Sequence, residues 1–442
     1  MKHVFSANLK YPQALLLALL FGLSPIASFA QSAAGEDADN AQALPLPLNE
    51  VRIFAEVLNR IRSAYVEPID DKTLLENAVK GMLAGIDPHS SYLANDDFED
   101  LQENTTGEFG GLGVEVGVNN GFITIISPVD GSPADIAGIR AGDVVIKIDN
   151  TPTTETTIED SMALMRGAPG TEVVLTILRE GLDEAIDITV TRDIIRARSV
   201  RSRYLEPGFA YLRISQFVTG TGAEVVSALE NFQRNDTELE GIILDLRNNP
   251  GGVLQAAVDV VDAFISEGLI VYTEGREESA FTRYEATPDD PSRGVPLIVL
   301  LNGGSASASE VVAGALQDHN RAVIMGTQSF GKGSVQTVLP LTNERAIKLT
   351  TALYYTPNGR SIQARGITPN IIVRQGRVTD VPDNPANYRE EDLAGHLENS
   401  DEPELSPESI DISGERVIVG DYQLNQALSI LKGLALLRSR SY

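Results

Sequence analysis

The sequence contains no cysteine and no tryptophan, and only four of its 442 residues are histidines. Without cysteine the chain has no disulfide bond, no thiolate zinc site and no cysteine nucleophile. Four histidines leave little material for a metal centre built on imidazoles. Basic residues are also few, with 35 Lys and Arg against 62 Asp and Glu, and the formal net charge is −27. Sequence-independent binding to nucleic acid needs a basic surface that displaces counterions, so this class of function is excluded.

The first thirty residues, 1–30, have the layout of a secretory signal peptide. Lys2 and Lys10 form a positive region, the apolar run ALLLALLFGL follows at 14–23, and Ser-Phe-Ala precedes Gln31 as a small-x-small cleavage site. The run is too short to favour a stable membrane span, although an uncleaved anchor in the inner membrane is the alternative. A secreted chain without cysteine fits the periplasm of a Gram-negative bacterium.

Hydrophobic periodicity changes along the N-terminal half of the remaining chain. Residues 31–47 are small, acidic and proline-containing, which predicts a flexible linker. Residues 48–106 have apolar side chains at helical spacing, with Asn49 as the predicted N-cap of the first helix. Residues 107–195 switch to period-two strands with glycine turns and one or two short helices. This second pattern predicts a compact strand-rich module.

The C-terminal half has a different organisation. Residues 196–376 alternate strands with helices, which predicts right-handed βαβ units and a mostly parallel sheet covered by helices. Residues 377–442 form a polar, acidic tail until YQLNQALSILKGLALL at 422–437, which predicts an apolar helix. The expected fold class is therefore a multidomain protein of the α+β and α/β type.

Three glycine-rich junctions follow predicted strands of this half: DLRNNPGG at 245–252, NGGSASASE at 302–310 and GTQSFGKGSVQ at 326–336. The carboxyl ends of parallel strands are where α/β folds place their sites. The third junction matches a phosphate-binding loop except at its last position, which is Gly333 instead of Ser or Thr. The segment after it is typical of a strand, so nucleotide binding is disfavoured.

The alternating serines Ser305, Ser307 and Ser309 are candidate nucleophiles, and their simpler interpretation is helix N-capping. His319 is twelve residues beyond Ser307, which on a helix corresponds to roughly 18 Å and is too far for a hydrogen bond. A lysine base remains, because a buried lysine loses its charge readily and its neutral amine accepts a hydroxyl proton. Lys332 is the candidate base. The apolar neighbours Phe330 and Val335 are expected to desolvate it, and Gln336 to orient its amine.

The sequence resembles the C-terminal processing peptidases, also called tail-specific proteases, from about residue 48 to 375. The matching strings occur in the family's order: GIDPHSSYL, GEFGGLGVEV, GSPADIAGIRAGD, LMRGAPGT, DLRNNPGG, GSASASE, SFGKGSVQ and TPNGRSIQARGITP. The resemblance implies that Ser307 is the nucleophile, Lys332 its catalytic partner and Gln336 the supporting residue. It also implies an oxyanion hole formed by the amides of Ala308 and Gly252, with Gly251 as the alternative to Gly252.

The 107–195 module resembles a PDZ domain inserted before a mixed α/β serine-protease core. Its GLGF-like loop corresponds to Gly111, Leu112, Gly113 and Val114, whose backbone amides would capture a free C-terminal carboxylate while the peptide adds as an edge strand. A structural turn between strands is the alternative. The resemblance links Arg166 to coupling between the PDZ domain and the protease core, and a solvated arginine is the alternative there.

The resulting expectation is an envelope serine endopeptidase that cleaves proteins at or near apolar C-termini without a metal, a nucleotide or another cofactor. A non-catalytic PDZ scaffold on a degenerate protease fold and a nucleotide-dependent enzyme are the alternatives. The apolar terminal helices, over 51–65 and 422–437, are expected to form a homo-oligomer, with packing inside one chain as the alternative. An adaptor lipoprotein is an expected partner.

Overall fold

The structure is a computed structural model that describes residues 47–119, 122–129, 131–196, 198–234, 238–341, 345–376, 390, 393–397 and 420–439. The predicted signal peptide, nearly all of the predicted linker and most of the acidic tail lie outside these residues. The chain forms two compact units, which divide between Leu74 and Leu75. No helix within the described ranges is long and apolar enough to cross a membrane.

The helices are, in chain order, α1 (Leu48–Ala64), α2 (Asp71–Ala84), α3 (Asn95–Thr106), α4 (Pro133–Ile136), α5 (Ile158–Met165), α6 (Thr221–Arg234), α7 (Leu254–Asp262), α8 (Ala308–Asp318) and α9 (Tyr422–Ser439). The strands up to the end of the PDZ-like module are β1 (Ser91–Leu93), β2 (Glu108–Gly111), β3 (Val114–Asn119), β4 (Phe122–Pro128), β5 (Val144–Ile148), β6 (Thr151–Pro152), β7 (Glu172–Leu178), β8 (Ile186–Thr191) and β9 (Asp193–Arg196). The remaining strands are β10 (Val200–Glu206), β11 (Phe209–Ile214), β12 (Gly241–Asp245), β13 (Leu269–Gly275), β14 (Thr282–Glu285), β15 (Leu297–Leu301), β16 (Val323–Gly326), β17 (Ser334–Pro340), β18 (Ala346–Tyr355) and β19 (Ile371–Ile372).

Helix α1 begins two residues earlier than the capping pattern predicts. The Val51 N–H donates to the Pro47 carbonyl at 3.0 Å, so the helical hydrogen bonds start at Pro47 and Asn49 lies inside the first turn rather than at the cap. No residue of α1 is buried in this chain. The apolar stripe that the sequence predicts is therefore present on α1 but exposed.

The strand-rich module is an antiparallel sheet with the order β3-β4-β5-β7-β8 and with β6 paired to β5. Its core is formed by alternate residues of these strands, as in β4, where Ile123 and Ile125 are buried while Phe122 and Ile126 are exposed. Within the described residues β3 pairs with β4 alone, so the other edge of β3 is open.

The protease-like core is built on a six-stranded sheet with the order β10-β11-β12-β15-β16-β19. Only the β10–β11 pair is antiparallel, and the strands from β11 to β19 pair in parallel. Every residue of β12 and β15 is buried because helices cover both faces of the sheet. Ile242 and Leu244 pack in the cluster of α6, α7 and α8, whereas Ile243 packs against α9.

Helix α9 packs on the outer face of this sheet, which differs from the self-association predicted for it. Leu424, Leu428 and Leu431 are buried against apolar residues of β12, β15 and β16. The physical reason is that this sheet face is itself apolar, and exposing it to water costs about 25 cal/mol per Å². Only the last leucines of the stripe, Leu436 and Leu437, remain exposed.

A second sheet with the order β1-β18-β13-β14, in which β17 also pairs with β18, lies beside the core. Its β1–β18 pair aligns Ser91 with Lys348, although the two residues are far apart in sequence. This pairing brings the GIDPHSSYL segment, residues 85–93, to the strands that follow the FGKG turn.

Candidate active site

The three glycine-rich junctions leave the same edge of the parallel sheet. Strands β12, β15 and β16 are neighbours, and the registers align Asp245 with Leu300 and Leu301 with Gly326. The turns after these strands carry the two glycines, the three serines and the lysine of the predicted site. The structure thus gathers these residues where parallel strands end, as the sequence predicts.

The three alternating serines differ in what their hydroxyl groups do. The Ser305 Oγ donates to the Leu246 carbonyl at 2.8 Å, and the Ser309 Oγ donates to the Asn249 carbonyl at 3.0 Å. Both side chains are fully buried and fasten the serine turn to the 245–252 turn. Among the described contacts, the Ser307 hydroxyl bonds to no main-chain group and interacts instead with the buried side chain of Tyr354. Of the three hydroxyls, that of Ser307 is therefore the one left for chemistry.

Ser307 also has an unusual backbone conformation, with φ 55° and ψ −114°. A positive φ is uncommon for a serine, and such strain costs about 1–3 kcal/mol. Ser307 precedes α8 but does not cap it with its hydroxyl, because the Glu310 N–H donates to the main-chain oxygen of Ser307 at 2.8 Å. Ser307 is thus the N-cap residue of α8, as the N-capping interpretation predicts, but the cap is formed by its main chain and the Glu310 carboxylate and leaves its hydroxyl unused. The strained turn places the side chain at the helix N-terminus, as in other nucleophile turns.

Glu310 joins the serine turn to the lysine turn. Its Oε2 accepts the N–H of Ser307 and the N–H of Lys332, both at 2.8 Å. Its Oε1 accepts the Ser329 hydroxyl and the Gly331 N–H, both at 2.6 Å. Burial raises the pKa of this carboxyl, and the four hydrogen bonds oppose that rise. Glu310 is not among the site residues predicted from the sequence, although Ser307 and Glu310 have the Ser-x-x-Glu spacing of a capping box.

The environment of Lys332 favours a neutral amine. Burial lowers the pKa of the Lys332 ammonium and the positive charge of Lys348 lowers it further, whereas the carboxylates of Asp87 and Glu310 oppose both effects. Phe330, which was expected to help desolvate Lys332, is 65% exposed. The burial of Lys332 therefore does not depend mainly on that ring.

The 85–93 segment contributes charges that the sequence analysis did not assign to the site. Asp87 accepts a hydrogen bond from the Thr350 hydroxyl at 3.2 Å and acts electrostatically on Lys332. Burial lowers the pKa of the His89 imidazole, and the charge of Lys332 lowers it further. The sequence gives no reason to place His89 near Lys332, because no local pattern indicates the β1–β18 pairing.

Gln336 lies near Lys332 in sequence but does not hydrogen-bond to it in the described structure. Its Nε2 donates to the Ser334 hydroxyl at 3.0 Å and to the Thr350 hydroxyl at 3.3 Å. The register of β17 on β18 shifts between Val335 and Gln336, and such an irregularity re-aims a side chain. Gln336 therefore belongs to the Thr350–Asp87 network, and its role toward Lys332 stays a prediction.

Two main-chain amides near Ser307 are available to a ligand. Among the described residues, the Ala308 and Gly252 N–H groups donate to no other group, whereas the Gly251 N–H donates to the Asn249 side chain at 2.9 Å. A Cβ on Gly251 would lie 2.8 Å from the Ser307 Cβ, so only glycine lets this turn approach so closely. The Gly251 N–H is thus already paired and the Gly252 N–H is not, and the choice of Gly252 as the second donor stays a prediction.

The loop of the PDZ-like module has free donors of the same kind. Within the described ranges, the N–H groups of Leu112 and Gly113 donate to no group of the chain, and Gly113 has φ 74°. The Leu112 side chain is buried in the core of the module, while Gly111 ends β2 and Val114 begins β3. The loop therefore stands at the start of the strand whose outer edge is open.

Arg166 is partnered rather than merely solvated. Its Nη1 lies 3.1 Å from the Glu103 Oε2 on α3, and its guanidinium lies 5.0 Å from the centroid of the Phe109 ring. The carbonyl of Thr105, on the same helix, accepts the Thr219 hydroxyl of the core at 3.1 Å. These contacts connect the end of α5 to the core through α3.

The structure also places the residues on which the other candidate chemistries depend. The His319 Nε2 bonds to the Leu269 carbonyl at 2.7 Å, at the far end of α8 from Ser307. No three His, Cys, Asp or Glu side chains of the described chain form a cluster that could hold a metal ion. The segment after Lys332 is strand β17, whereas a phosphate-binding loop leads into a helix.

Models of known families match three parts of the chain. Peptidase family S41 matches residues 208–373, a PDZ domain matches residues 124–179, and the N-terminal domain of the activating protease CtpB matches residues 24–97. The order of these matches confirms the predicted fold class, with a PDZ domain before a mixed α/β core.

Whole-chain relatives agree with these matches. The carboxy-terminal-processing protease of Bartonella bacilliformis is 45% identical over 86% of this chain and 88% of its own length. The carboxyl-terminal-processing protease of Synechocystis sp. is 37% identical over 71% of this chain and 75% of its own. A solved structure, a photosystem II D1 C-terminal processing protease, is 29% identical, covers 74% of this chain and 93% of that chain, and superposes with a TM-score of 0.44. The family models and the two protease sequences show that the chain belongs to peptidase family S41, and within it to the PDZ-containing carboxy-terminal processing proteases.

Proposed function

We propose that this serine peptidase uses Ser307 as its nucleophile and Lys332 as its general base. The observation that carries this proposal is the carboxylate of Glu310, which binds the N–H groups of both residues on one oxygen. Two turns separated along the chain are thereby held together, with a strained serine in one and a desolvated lysine in the other. The lowered pKa of Lys332 supports its action as a base, because the neutral amine is the form that accepts a proton.

In this mechanism the Lys332 amine takes the hydroxyl proton of Ser307 as Oγ attacks the carbonyl carbon of the scissile peptide. The N–H groups of Ala308 and Gly252 donate to the oxyanion that develops. Lys332 then returns the proton to the leaving amine, and the acyl group stays on Ser307. A water molecule, deprotonated by Lys332, releases the acyl group and restores the enzyme.

We propose that the PDZ domain binds the free C-terminus of the substrate. The unpaired edge of β3 suits addition of a peptide strand, and the Leu112 and Gly113 amides at its start suit the terminal carboxylate. The Arg166–Glu103 contact supports a role of Arg166 in coupling this domain to the core.

We also propose a periplasmic location, which rests on residues 1–30 alone. Mass spectrometry of the mature N-terminus tests this proposal, and we expect cleavage after Ala30.

Digestion of an unstructured protein such as casein tests the catalytic proposal. Wild type is expected to cleave it with or without chelator and ATP, while Ser307→Ala and Lys332→Ala abolish cleavage without lowering the unfolding temperature. Lys147→Ala, which changes an exposed lysine of β5, is the matched control and should cleave normally. Turnover by Ser307→Ala would contradict the proposal, and inactive wild type would favour a non-catalytic scaffold.

A further inference from the structure

The turn that carries Gly251 and Gly252 is tied at its start to the C-terminal end of the chain. Arg247 donates from Nη1 and Nη2 to the two carboxylate oxygens of Asp421, at 2.9 and 2.8 Å, and from Nη1 to the Gln423 Oε1 at 3.1 Å. These three residues form a clasp between the turn and the N-terminus of α9. Arg247 and Asp421 are 174 residues apart in sequence.

Arg247 and Gln423 of the clasp are largely buried, the Asp421 side chain is 33% exposed, and the polar groups of all three have partners. The Arg247 side chain is 13% exposed and also donates from Nε to the Asp245 Oδ1 at 2.9 Å, while Asp245 is fully buried. Gln423 is buried too, and its Nε2 donates to the Val373 carbonyl at 2.7 Å. Burial alone would lower the pKa of the Arg247 guanidinium, but its hydrogen bonds to Asp245 and Asp421 outweigh burial and raise it. Arg247 therefore stays charged between two carboxylates.

Helix α9 also contacts the core away from the clasp. Its leucines Leu424, Leu428 and Leu431 are buried on the sheet, and Lys432 pairs with Glu206 at 2.5 Å. A buried ionic cluster adds little net stability, because desolvation offsets the attraction between its charges. We therefore expect the clasp to affect the geometry of the 245–252 turn more than the stability of the protein.

That turn leads directly to the candidate oxyanion donors. The Arg247 N–H bonds to the Asp245 Oδ1 at 3.0 Å, and Asn249, two residues on, accepts the Gly251 N–H with its side chain. Gly251 in turn lies against Ser307. If the Arg247 side chain changes direction, the start of the 245–252 turn moves with it, and the hydrogen bonds along the turn pass this movement on to Gly251 and Gly252.

We propose that Asp421 and Gln423 are positioning residues for catalysis, which hold Arg247 so that the 245–252 turn presents the Gly252 N–H beside Ser307. The inference rests on the proposed Ser307 mechanism and adds that the C-terminal segment helps to build its oxyanion hole. Loss of the clasp leaves the PDZ domain unchanged, so peptide binding persists while the transition state loses a well-placed donor.

The test compares Asp421→Asn, Asp421→Glu and Lys432→Gln for kcat, KM and thermal unfolding with one peptide substrate. Asp421→Asn is expected to lower kcat about 10- to 100-fold with KM unchanged, the effect of moving a catalytic donor by about an ångström. Asp421→Glu, which keeps the carboxylate, should recover most of this loss. Lys432→Gln breaks an ion pair of the same helix away from the turn, so it should lower the unfolding temperature but not kcat.

A kcat of Asp421→Asn within twofold of wild type would overturn the inference, as would an equal loss in Lys432→Gln, since that loss would reflect helix docking alone. Should Asp421→Asn fail to fold, Gln423→Met takes its place under the same criteria. Ser307→Ala is measured alongside: its residual turnover would contradict the proposed mechanism, whereas a normal Asp421→Asn would contradict only the role of the clasp.

Discussion

At the scale of single residues, three serines within five positions have different tasks because of what their hydroxyls can reach. Ser305 and Ser309 donate to carbonyls of the neighbouring turn, whereas Ser307 does not. Their alternation with alanine is visible in the sequence, but the acceptors are about sixty residues away, so periodicity alone could not separate their roles.

Alanine substitutions should reveal this division of roles. Ser305→Ala removes the hydroxyl donor of the Leu246 carbonyl and the acceptor of the Asn302 N–H, and Ser309→Ala removes one of two donors to the Asn249 carbonyl. Each lost hydrogen bond costs about 0.5–1.5 kcal/mol of unfolding free energy. Both should lower the denaturant midpoint and still retain substantial activity, while Ser307→Ala should be inactive at a wild-type midpoint. If Ser305→Ala were inactive but stable, the nucleophile would be Ser305 and not Ser307.

The charges around Lys332 predict how activity depends on pH. The rate should rise with pH through the pKa of Lys332, because the neutral amine is the active form. Lys348→Gln removes a positive charge that lowers this pKa, so the rising limb should move to higher pH. Asp87→Asn removes a negative charge that raises it, so the limb should move to lower pH. Profiles of kcat/KM measure both shifts, and a shared direction would exclude Lys332 as the titrating group.

At the scale of elements, the open edge of β3 makes a prediction about substrate ends. A peptide with a free, apolar C-terminus should be cleaved several-fold faster than its C-terminal amide at sub-saturating concentration, because the amide lacks the carboxylate for the Leu112 and Gly113 N–H groups. Gly113→Ala is expected to remove this preference, since its Cβ would lie 2.4 Å from the Ser132 Cβ at a positive φ. Equal rates for acid and amide with wild type would remove the PDZ domain from recognition.

Elements with strong local patterns were predictable, and those set by distant partners were not. The all-apolar segments of β12 and β15 and the residues of α8 follow from sequence, because a central strand and an amphipathic helix each bury a fixed pattern. Glu310 could not be singled out from the sequence, because a glutamate is common in the first turn of a helix and Glu310 lies in the first turn of α8. Asp87 and His89 reach Lys332 only through the β1–β18 pairing, which no local pattern indicates.

At the scale of the whole molecule, the two apolar terminal helices have different environments. Helix α9 buries most of its apolar stripe against the core of its own chain, whereas Phe54 and Val57 of α1 are 45% and 50% exposed. Association through α1 thus remains the prediction, and the adaptor lipoprotein also stays untested.

Substitutions that introduce a charge distinguish a helix that packs inside the chain from one that joins two chains. Leu428→Asp buries a charge under the sheet and should unfold the protein, since a buried leucine contributes about 1.5–3 kcal/mol before the cost of the charge is added. Phe54→Asp should leave the unfolding temperature unchanged and lower the mass in light scattering. A wild-type protein that is monomeric at micromolar concentration would contradict association through α1.

The central claim is that Lys332 activates Ser307, and covalent labelling with a fluorophosphonate tests it most directly. Peptide mapping by mass spectrometry should find one phosphonyl group on Ser307 in wild type and in Lys147→Ala, and labelling at least about 100-fold slower in Lys332→Ala, the lower range of a general-base contribution. Label on Ser305 or Ser309, or an unchanged labelling rate in Lys332→Ala, would contradict the account.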